Sequence, residues 1–297
     1  MSKISVALLL AAIATATNGF SVPSPNAQLK ADLLQRIQTL RTLKERDGDF
    51  SIDFGVKGGE IDKKTRAPQK VDFYTISEDV GKAADEVMDI ASELEKCSPT
   101  DHPTQFLGDK EQGGKAPLNG EWKLLFTTAA DANFSKNSKR GSASVKNVVD
   151  ACKGSITNVI DFQGGSSAEE TDDDNATTST KKEPLVKSLN VVIGAKAASK
   201  SRVGLQFKYA KVVFSRFFGF KRQWTLYIPV PAPLITRFIV FFSRVFRFGK
   251  KVDKKVPPKA YFDVLYLDDE LRIQRTGEDN LFVQAKPTWK DAVPFFT

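Results

Sequence analysis

This chain of 297 residues has few of the side chains that build metal sites, disulfide frameworks and nucleophilic active sites. It contains two cysteines, Cys97 and Cys152, and a single histidine, His102. Two thiols in a chain of this length do not make a disulfide framework. Together with one imidazole they are too few for a structural zinc site. We therefore expect no metal and no cofactor.

The sequence signatures of common catalytic sites are also missing. There is no Gly-x-Ser-x-Gly elbow and no Gly-x-x-x-x-Gly-Lys phosphate loop. His102 lies in a linker between prolines, a poor position for a general base. The acidic pair Asp268 and Asp269 lies at a predicted turn, where a carboxylate is far more often structural than catalytic. The sequence thus predicts a protein without catalytic residues.

The N-terminus has the order of a targeting sequence. Lys3 precedes an apolar run at 4–13, which small residues follow, as in a secretory signal. The run has about half of the ~20 residues that cross a bilayer, so we expect no retained span. The acid-free segment at 20–24 resembles the second part of a bipartite plastid presequence, with ordinary secretion as the alternative. We assign residues 1–25 to targeting.

Two helices are predicted before the strands, within a helical region with linkers at 26–116. Ser77 offers an N-cap for the second helix, with Glu78 and Asp79 in the first turn. The first helix, at 26–46, has apolar residues at helical spacing. These are Leu29, Leu33, Ile37, Leu40 and Leu43.

Strand-like runs dominate residues 117–290. Glycine, proline and aspartate separate them, a pattern typical of an antiparallel sandwich or barrel. The segment 163–183 is rich in acids and threonine and lacks an apolar pattern, which predicts a disordered insertion. The eight predicted strands are 121–128, 155–162, 185–193, 203–217, 222–228, 261–267, 271–275 and 280–286.

Two segments resemble the plastid lipid-associated protein family, the PAP/fibrillins. They are LNGEWKLLFTT at 118–128 and YLDDELRIQR at 266–275, the latter followed by LFV at 281–283. The resemblance implies a mainly β fold, a lipocalin-like antiparallel β-barrel with a small N-terminal helical region. It implies a plastid protein, peripheral on thylakoids or plastoglobules, that binds or carries a prenylquinone, carotenoid or fatty acid.

Two other functions remain open at this stage. A coat protein of plastid lipid particles would use the same family traits without any cavity. A nucleic-acid-binding module would use the formal net charge of +8 together with stacking aromatics. We favour the lipid-associated reading and expect no nucleic acid partner.

The same resemblance predicts where a ligand would bind. In a lipocalin-like barrel Trp122 would close the narrow end, and an arginine from the last strands would lie over its indole. Arg272 and Arg275 are three residues apart on one predicted strand, so only one of them can point inward. Asp263 would anchor a polar ligand end, unless it is a simple surface carboxylate. The predicted ligand-binding residues are Trp122, Leu124, Phe126, Val159, Phe207, Tyr209, Tyr261, Asp263, Arg272 and Arg275.

Strict alternation along strands adds a prediction about faces. It puts Trp122, Leu124 and Phe126 on one face of the first strand. It likewise puts Phe207 and Tyr209 on one face of their strand. The members of each group are thus predicted to point to the same side of the sheet.

A basic and aromatic stretch at 234–251 predicts contact with a membrane. At helical spacing its cations gather on one arc and its aromatic and aliphatic side chains on the opposite arc. This pattern is typical of a helix in a lipid interface with anionic headgroups. A lid or core helix, or a pair of strands, is the alternative. The predicted membrane contacts are Arg237, Phe238, Phe242, Arg244, Phe246 and Arg247.

Overall fold

The computed structural model contains two α-helices and a nine-stranded antiparallel sheet in the part of the chain that it describes. The helices are α1, Pro25–Asp47, and α2, Glu78–Lys96. The described residues are 25–49, 69–132, 143–163, 184, 186–215, 223–229 and 260–296. The strands are β1 Gly120–Thr127, β2 Ala143–Asp150, β3 Ser155–Phe162, β4 Val186–Ala197, β5 Arg202–Phe214, β6 Trp224–Pro229, β7 Tyr261–Leu267, β8 Leu271–Thr276 and β9 Leu281–Ala285.

The sheet closes on itself in a ring. Its neighbours run β1-β2-β3-β4-β5-β7-β8-β9 and back to β1, each pair antiparallel. Strand β6 is outside this ring and pairs with the second half of β5, from Tyr209 to Phe214. Strands β1 to β5 and β7 to β9 thus follow one another around the ring in sequence order, as is usual for antiparallel sheets.

The ring is joined between β5 and β7 at one end only. The register there covers three pairs, from Arg202 opposite Asp263 to Gly204 opposite Tyr261. From Tyr209 onward, β6 occupies the edge of β5 that β7 occupied before. Among the described residues, β5 and β7 are therefore paired only at the end of the ring near Arg202.

Two apolar cores lie on opposite sides of the sheet. One fills the space between the helices and the outer face of β1, β7, β8 and β9, and includes Ile37, Val87 and Ile273. The other lies inside the joined end of the ring and includes Trp122 and Val203. Because the helices cover part of the outer face, several strands are apolar on both faces.

Polar contacts fix the helical layer to the ring. Lys30 on α1 forms an ion pair with Asp268, with 2.9 Å between Nζ and Oδ2, and also contacts Glu270. Ser77 caps α2, as predicted, because its Oγ accepts a hydrogen bond from the backbone N–H of Val80 at 3.1 Å. The helices thus share one core and one set of ion pairs with the strands.

The mainly β fold with a small N-terminal helical region is confirmed, and so are both predicted helices. Eight strands lie where they were predicted, but β2 was missed. Within the described ranges, neither helix is long and apolar enough to cross a membrane. The targeting segment 1–25, apart from Pro25, and the acidic insertion, apart from Gln163, lie outside the described residues and stay predictions.

Candidate functional site

Trp122 closes the joined end of the ring. The Gly-x-Trp sequence matters here because Gly120 has a φ of 113°, a conformation that favours glycine. The indole of Trp122 is 0% exposed, and its Nε1–H donates a hydrogen bond to the carbonyl of Leu118 at 2.9 Å. A buried indole whose N–H is hydrogen-bonded packs stably, so Trp122 acts as a plug that fills this end of the ring.

Of Arg272 and Arg275, only Arg272 points into the ring. Its guanidinium carbon lies 5.0 Å from the centroid of the Trp122 ring, which is a cation–π contact. Lys286 Nζ also lies 5.0 Å from that centroid. Arg275 is exposed instead, with Nε 3.7 Å from the carboxylate of Asp279. The prediction that a single arginine of this pair stacks over Trp122 is confirmed.

Amide side chains surround the buried guanidinium. Arg272 Nε and Nη2 donate to Oε1 of Gln284 at 3.0 and 2.5 Å, and Nη2 also donates to Oδ1 of Asn147 at 2.7 Å. Gln284 Nε2 donates to the same Asn147 oxygen at 2.6 Å. Asn147 Nδ2 in turn donates to Oδ1 of Asn158 at 2.8 Å. We call these four residues the polar floor.

The polar floor has a positive charge and no acid in contact with it within the described ranges. Burial lowers the pKa of Arg272 to about 9, so the group is still protonated at pH 7. Its acceptors, Gln284 and Asn147, are neutral amides. The interior of the ring therefore has a cation without a nearby counter-charge.

Burial changes along the inner face of the ring on the two sides of this floor. On the plug side, Ile156, Ala195 and Val264 are buried. Beside the floor and beyond it, inward-facing Leu124, Val191 and Phe282 are only partly buried, whereas Ile160 and Phe162 on β3 are buried. Val191 faces inward because it pairs with Asn158 of the floor. The ring is thus filled near Trp122, and accessible apolar side chains form part of its inner face beside and beyond the floor.

A β-bulge changes the face of one predicted ligand contact. On β1, Leu124 pairs with Gln284, whereas Phe126 pairs with the adjacent residue Val283. Adjacent residues of a strand face opposite sides, so Leu124 points inward and Phe126 outward. Phe126 stacks on Phe73 in the helical core, with 5.7 Å between ring centroids. The prediction that Phe126 shares a face with Trp122 and Leu124 is wrong.

A second bulge separates Phe207 from Tyr209. Phe207 pairs with Ile193 and Tyr209 with the adjacent Val192, so the two rings lie on opposite faces. Ile193 pairs with Ile156 of the inner core, which places Phe207 on the inner face and Tyr209 on the outer face. The prediction that these two aromatics share a face is also wrong, because the extra residue of a bulge reverses the alternation.

Three further predicted contacts face outward. Val159 is adjacent to the inward Asn158 on β3 and therefore points to the other side. Asp263 accepts two hydrogen bonds from Arg202, at 2.7 and 2.8 Å. The same guanidinium lies 4.1 Å from the ring centroid of Tyr261. Of the ten predicted positions, the structure places Trp122, Leu124, Phe207 and Arg272 on the inner face.

The strand pair β5–β6 exposes aromatic rings at the edge of the sheet. Tyr209 and Tyr227 share its outer face, 6.2 Å apart, and Tyr227 is 61% exposed. Lys211 pairs with Tyr227 in the register and so lies on the same face. Trp224 is exposed on the opposite face of the same pair. In the sequence, residues 184–252 contain no Asp or Glu, so this edge is basic.

Sequence reasoning selected Arg272 but missed its amide partners Gln284 and Asn147, and it also missed the nearby Gln274. Gln284 and Gln274 lie in predicted strands but were not selected, and Asn147 lies in the missed strand β2. A polar residue among apolar inward neighbours is the signal that identifies them, as in the alternation of Val145, Asn147 and Val149. The predicted membrane segment 234–251 lies outside the described residues and stays a prediction.

Comparison with known proteins adds one finding to this geometry. The family model described as PAP_fibrillin matches residues 75–285, which is more than half of the chain. This range includes α2 and all nine strands. No curated protein matches the chain significantly. No solved structure does so either.

Proposed function

Because this chain belongs to the PAP/fibrillin family of plastid lipid-associated proteins, we propose that it holds an apolar small molecule inside the ring while its surface contacts plastid lipid. Prenylquinone, carotenoid and fatty acid are the ligand classes that the family resemblance raises, at thylakoid or plastoglobule surfaces. The family is generally structural and lipid-associated, not enzymatic. The proposal therefore concerns binding and carriage without chemical conversion.

The gradient of burial inside the ring carries this proposal. A protein that needs no interior ligand gains stability by filling its core completely, since interiors pack densely. Here the end near Trp122 is filled, whereas Leu124, Val191 and Phe282 stay accessible on the inner face. Covering such apolar surface stabilises a complex by roughly 25 cal/mol per Å². The accessible part of the inner face is thus a suitable place for an apolar guest.

The β5–β6 edge supports the second half of the proposal. Tyrosine and tryptophan rings prefer the boundary between water and lipid, because one end of each ring system is apolar and the other polar. Tyr209, Tyr227 and Trp224 are exposed at this edge. The absence of acids from 184 to 252 favours anionic headgroups as its partner. The sequence pattern of 234–251 favours the same partner.

The exposed edge also favours a second candidate, a coat protein of lipid particles. A coat would use the exposed rings of β5 and β6 and would need no guest inside the ring. The two candidates differ in one respect only, the presence of a bound compound. A nucleic-acid module is a third possibility, distinguished by salt-dependent binding to oligonucleotide in the absence of lipid.

Mass spectrometry of organic extracts from the purified mature protein tests the proposal. We expect one class of apolar compound in near-stoichiometric amount. The double variant Tyr209→Ser/Tyr227→Ser is the matched control, because it changes only the outer face and should retain the compound. An extract without any bound compound would favour the coat protein and contradict carriage.

A further inference from the structure

We propose that the interior takes its ligand head first and that the head is anionic, a carboxylate or phosphate that Arg272 receives. This inference rests on the proposed function, since it concerns the polar end of the same ligand. It selects among the three ligand classes by their chemistry. A carotenoid hydrocarbon has no charged end, a quinone has neutral carbonyl oxygens, and a fatty acid has a carboxylate.

The Arg272 guanidinium is buried and, within the described ranges, is hydrogen-bonded only to neutral acceptors. The side chain is 0% exposed, and its hydrogen-bond acceptors are the amide oxygens of Gln284 and Asn147. Its Nη1 atom is buried and has no hydrogen-bond partner among the described residues. A buried guanidinium without a counter-ion is unfavourable, and a bidentate carboxylate or phosphate is the group that best satisfies it. The floor therefore lacks what an anionic head would supply.

A second unsatisfied polar atom lies on the same face of β8. Gln274 Oε1 is buried and, in the part of the chain that the structure describes, has no hydrogen-bond partner, like Arg272 Nη1. The two residues are two positions apart on one strand, so their side chains share the inner face about 7 Å apart. Buried polar atoms without partners are rare in proteins, and two neighbouring ones indicate a common missing group. A ligand head with an associated water would satisfy both.

The position of the floor gives the ligand a direction. Trp122 lies on the filled side of the floor. The accessible Leu124 and Val191 lie beside the floor, opposite Gln284 and Asn158 in the register, and Phe282 lies two residues beyond Gln284. From Tyr209 onward, the partner that β5 has on this edge is β6. A head on Arg272 would therefore leave its apolar tail against the accessible side chains. An amphiphile of this shape matches both surfaces of the interior.

A binding comparison with matched lipids and matched arginines tests the inference. The probes are palmitate, hexadecyl phosphate and methyl palmitate, which share a tail and differ in head charge. Each is measured by equilibrium dialysis at pH 8 against the wild type, Arg272→Met and Arg275→Met. Arg275 is the matched control, because it is the same residue on the same strand, exposed on the outer face. Both variants lower the net charge by one.

We expect the wild type and Arg275→Met to bind the anionic probes at least about 10-fold more tightly than methyl palmitate, the factor of one charge-assisted hydrogen bond. Arg272→Met should bind the ester equally well and lose the preference. The tighter of the two anions identifies the head as carboxylate or phosphate. Equal binding of ester and anions by the wild type, or an equal loss in both variants, would overturn the inference while the proposed function stands.

Failure of the proposed function has a different signature, since then none of the three probes binds the wild type. A second variant covers the case in which Arg272→Met does not fold. Gln274→Glu introduces a carboxylate next to the guanidinium and should raise the melting temperature while it removes the anion preference. A Gln274→Glu protein that keeps the preference would contradict the role of Arg272.

Discussion

Arg272 and Trp122 are in direct contact, with the guanidinium carbon 5.0 Å from the centroid of the indole ring. Trp122 has a structural role in this contact, because its indole N–H donates a hydrogen bond to Leu118 and the side chain is fully buried. Arg272 provides the positive charge of the interior, because Gln284 and Asn147 hold its guanidinium at the floor. Closure of the ring and the charge of its interior thus depend on one residue pair.

Replacing Trp122 by Phe should destabilise the fold. The change removes the hydrogen bond to Leu118, leaves a gap in a packed core and weakens the cation–π contact with Arg272. We expect the free energy of unfolding in urea to fall by about 2–4 kcal/mol. Trp224→Phe, at an exposed ring, is the control and should change it by less than about 0.5 kcal/mol. Equal effects of the two changes would contradict the assigned plug.

Phe126 should matter for stability and not for ligand binding. Its ring stacks on Phe73 in the core beneath the helices, so Phe126→Ala should cost about 3–5 kcal/mol of unfolding free energy. The affinity for an apolar probe should stay unchanged as long as the variant is folded. Leu124→Ala, on the inner face, should lower the affinity for the probe and should cost less unfolding free energy than Phe126→Ala does. A loss of probe affinity in Phe126→Ala with none in Leu124→Ala would contradict the bulge assignment.

The stability of the helical attachment should depend on acid pH through Asp268. Burial raises the pKa of this carboxyl, but hydrogen bonds from Lys30 and from the backbone N–H groups of Glu270 and Leu271 outweigh it, and the pKa lies below its ordinary value. A lowered folded-state pKa stabilises the fold above the unfolded pKa of about 4, and this contribution is lost as the pH falls through the folded value.

Asp268→Asn should therefore lower the free energy of unfolding by about 1 kcal/mol at pH 6, since the site is partly open to solvent. Its effect should be smaller at pH 3. Urea titrations at the two pH values measure both quantities. Asp269→Asn, at the exposed neighbouring carboxylate, is the control and should behave as the wild type does. A variant effect that grows toward pH 3 would contradict the sign of this linkage.

The outer face of the β5–β6 edge should contribute to lipid contact. Tyr209→Ser combined with Tyr227→Ser removes two exposed rings and should weaken binding to anionic vesicles about 10-fold in co-sedimentation. Tyr74→Ser is the control, because Tyr74 is 50% exposed next to α2 and bonds to Asp85 on that helix. Unchanged sedimentation of the double variant would show that this edge is not the contact.

The sequence predicted the parts of the fold that depend on local signals. Ser77 was recognised as a cap, because an N-cap has a local chemical signature. The three-residue spacing of Arg272 and Arg275 correctly limited the inward position to one of them. The strand β2 was missed, because it contains Lys146 and Asn147 among its valines, so its apolar pattern is weak.

The faces of individual side chains were harder to predict than the strands themselves. The bulges at Leu124 and between Phe207 and Tyr209 reverse the alternation, and a bulge has no reliable sequence signal here. The helices also cover the outer face of β8 and β9, so the outward Ile273 and Val283 are apolar and buried, whereas the inward Arg272 and Gln284 are polar. Apolar character therefore does not identify the inner face of these two strands. The amide partners of Arg272 were missed because the members of the polar floor come from four different strands.

The central claim is that a guest molecule occupies the inside of the ring. Val191 and Val192 are adjacent and partly buried, and they face inward and outward respectively. The decisive measurement is the ligand occupancy, by mass spectrometry of organic extracts, of Val191→Trp and Val192→Trp. The account predicts that an indole at position 191 displaces the bound compound, whereas one at position 192 leaves it at the level of the wild type. Equal occupancy in the two folded variants would contradict the claim.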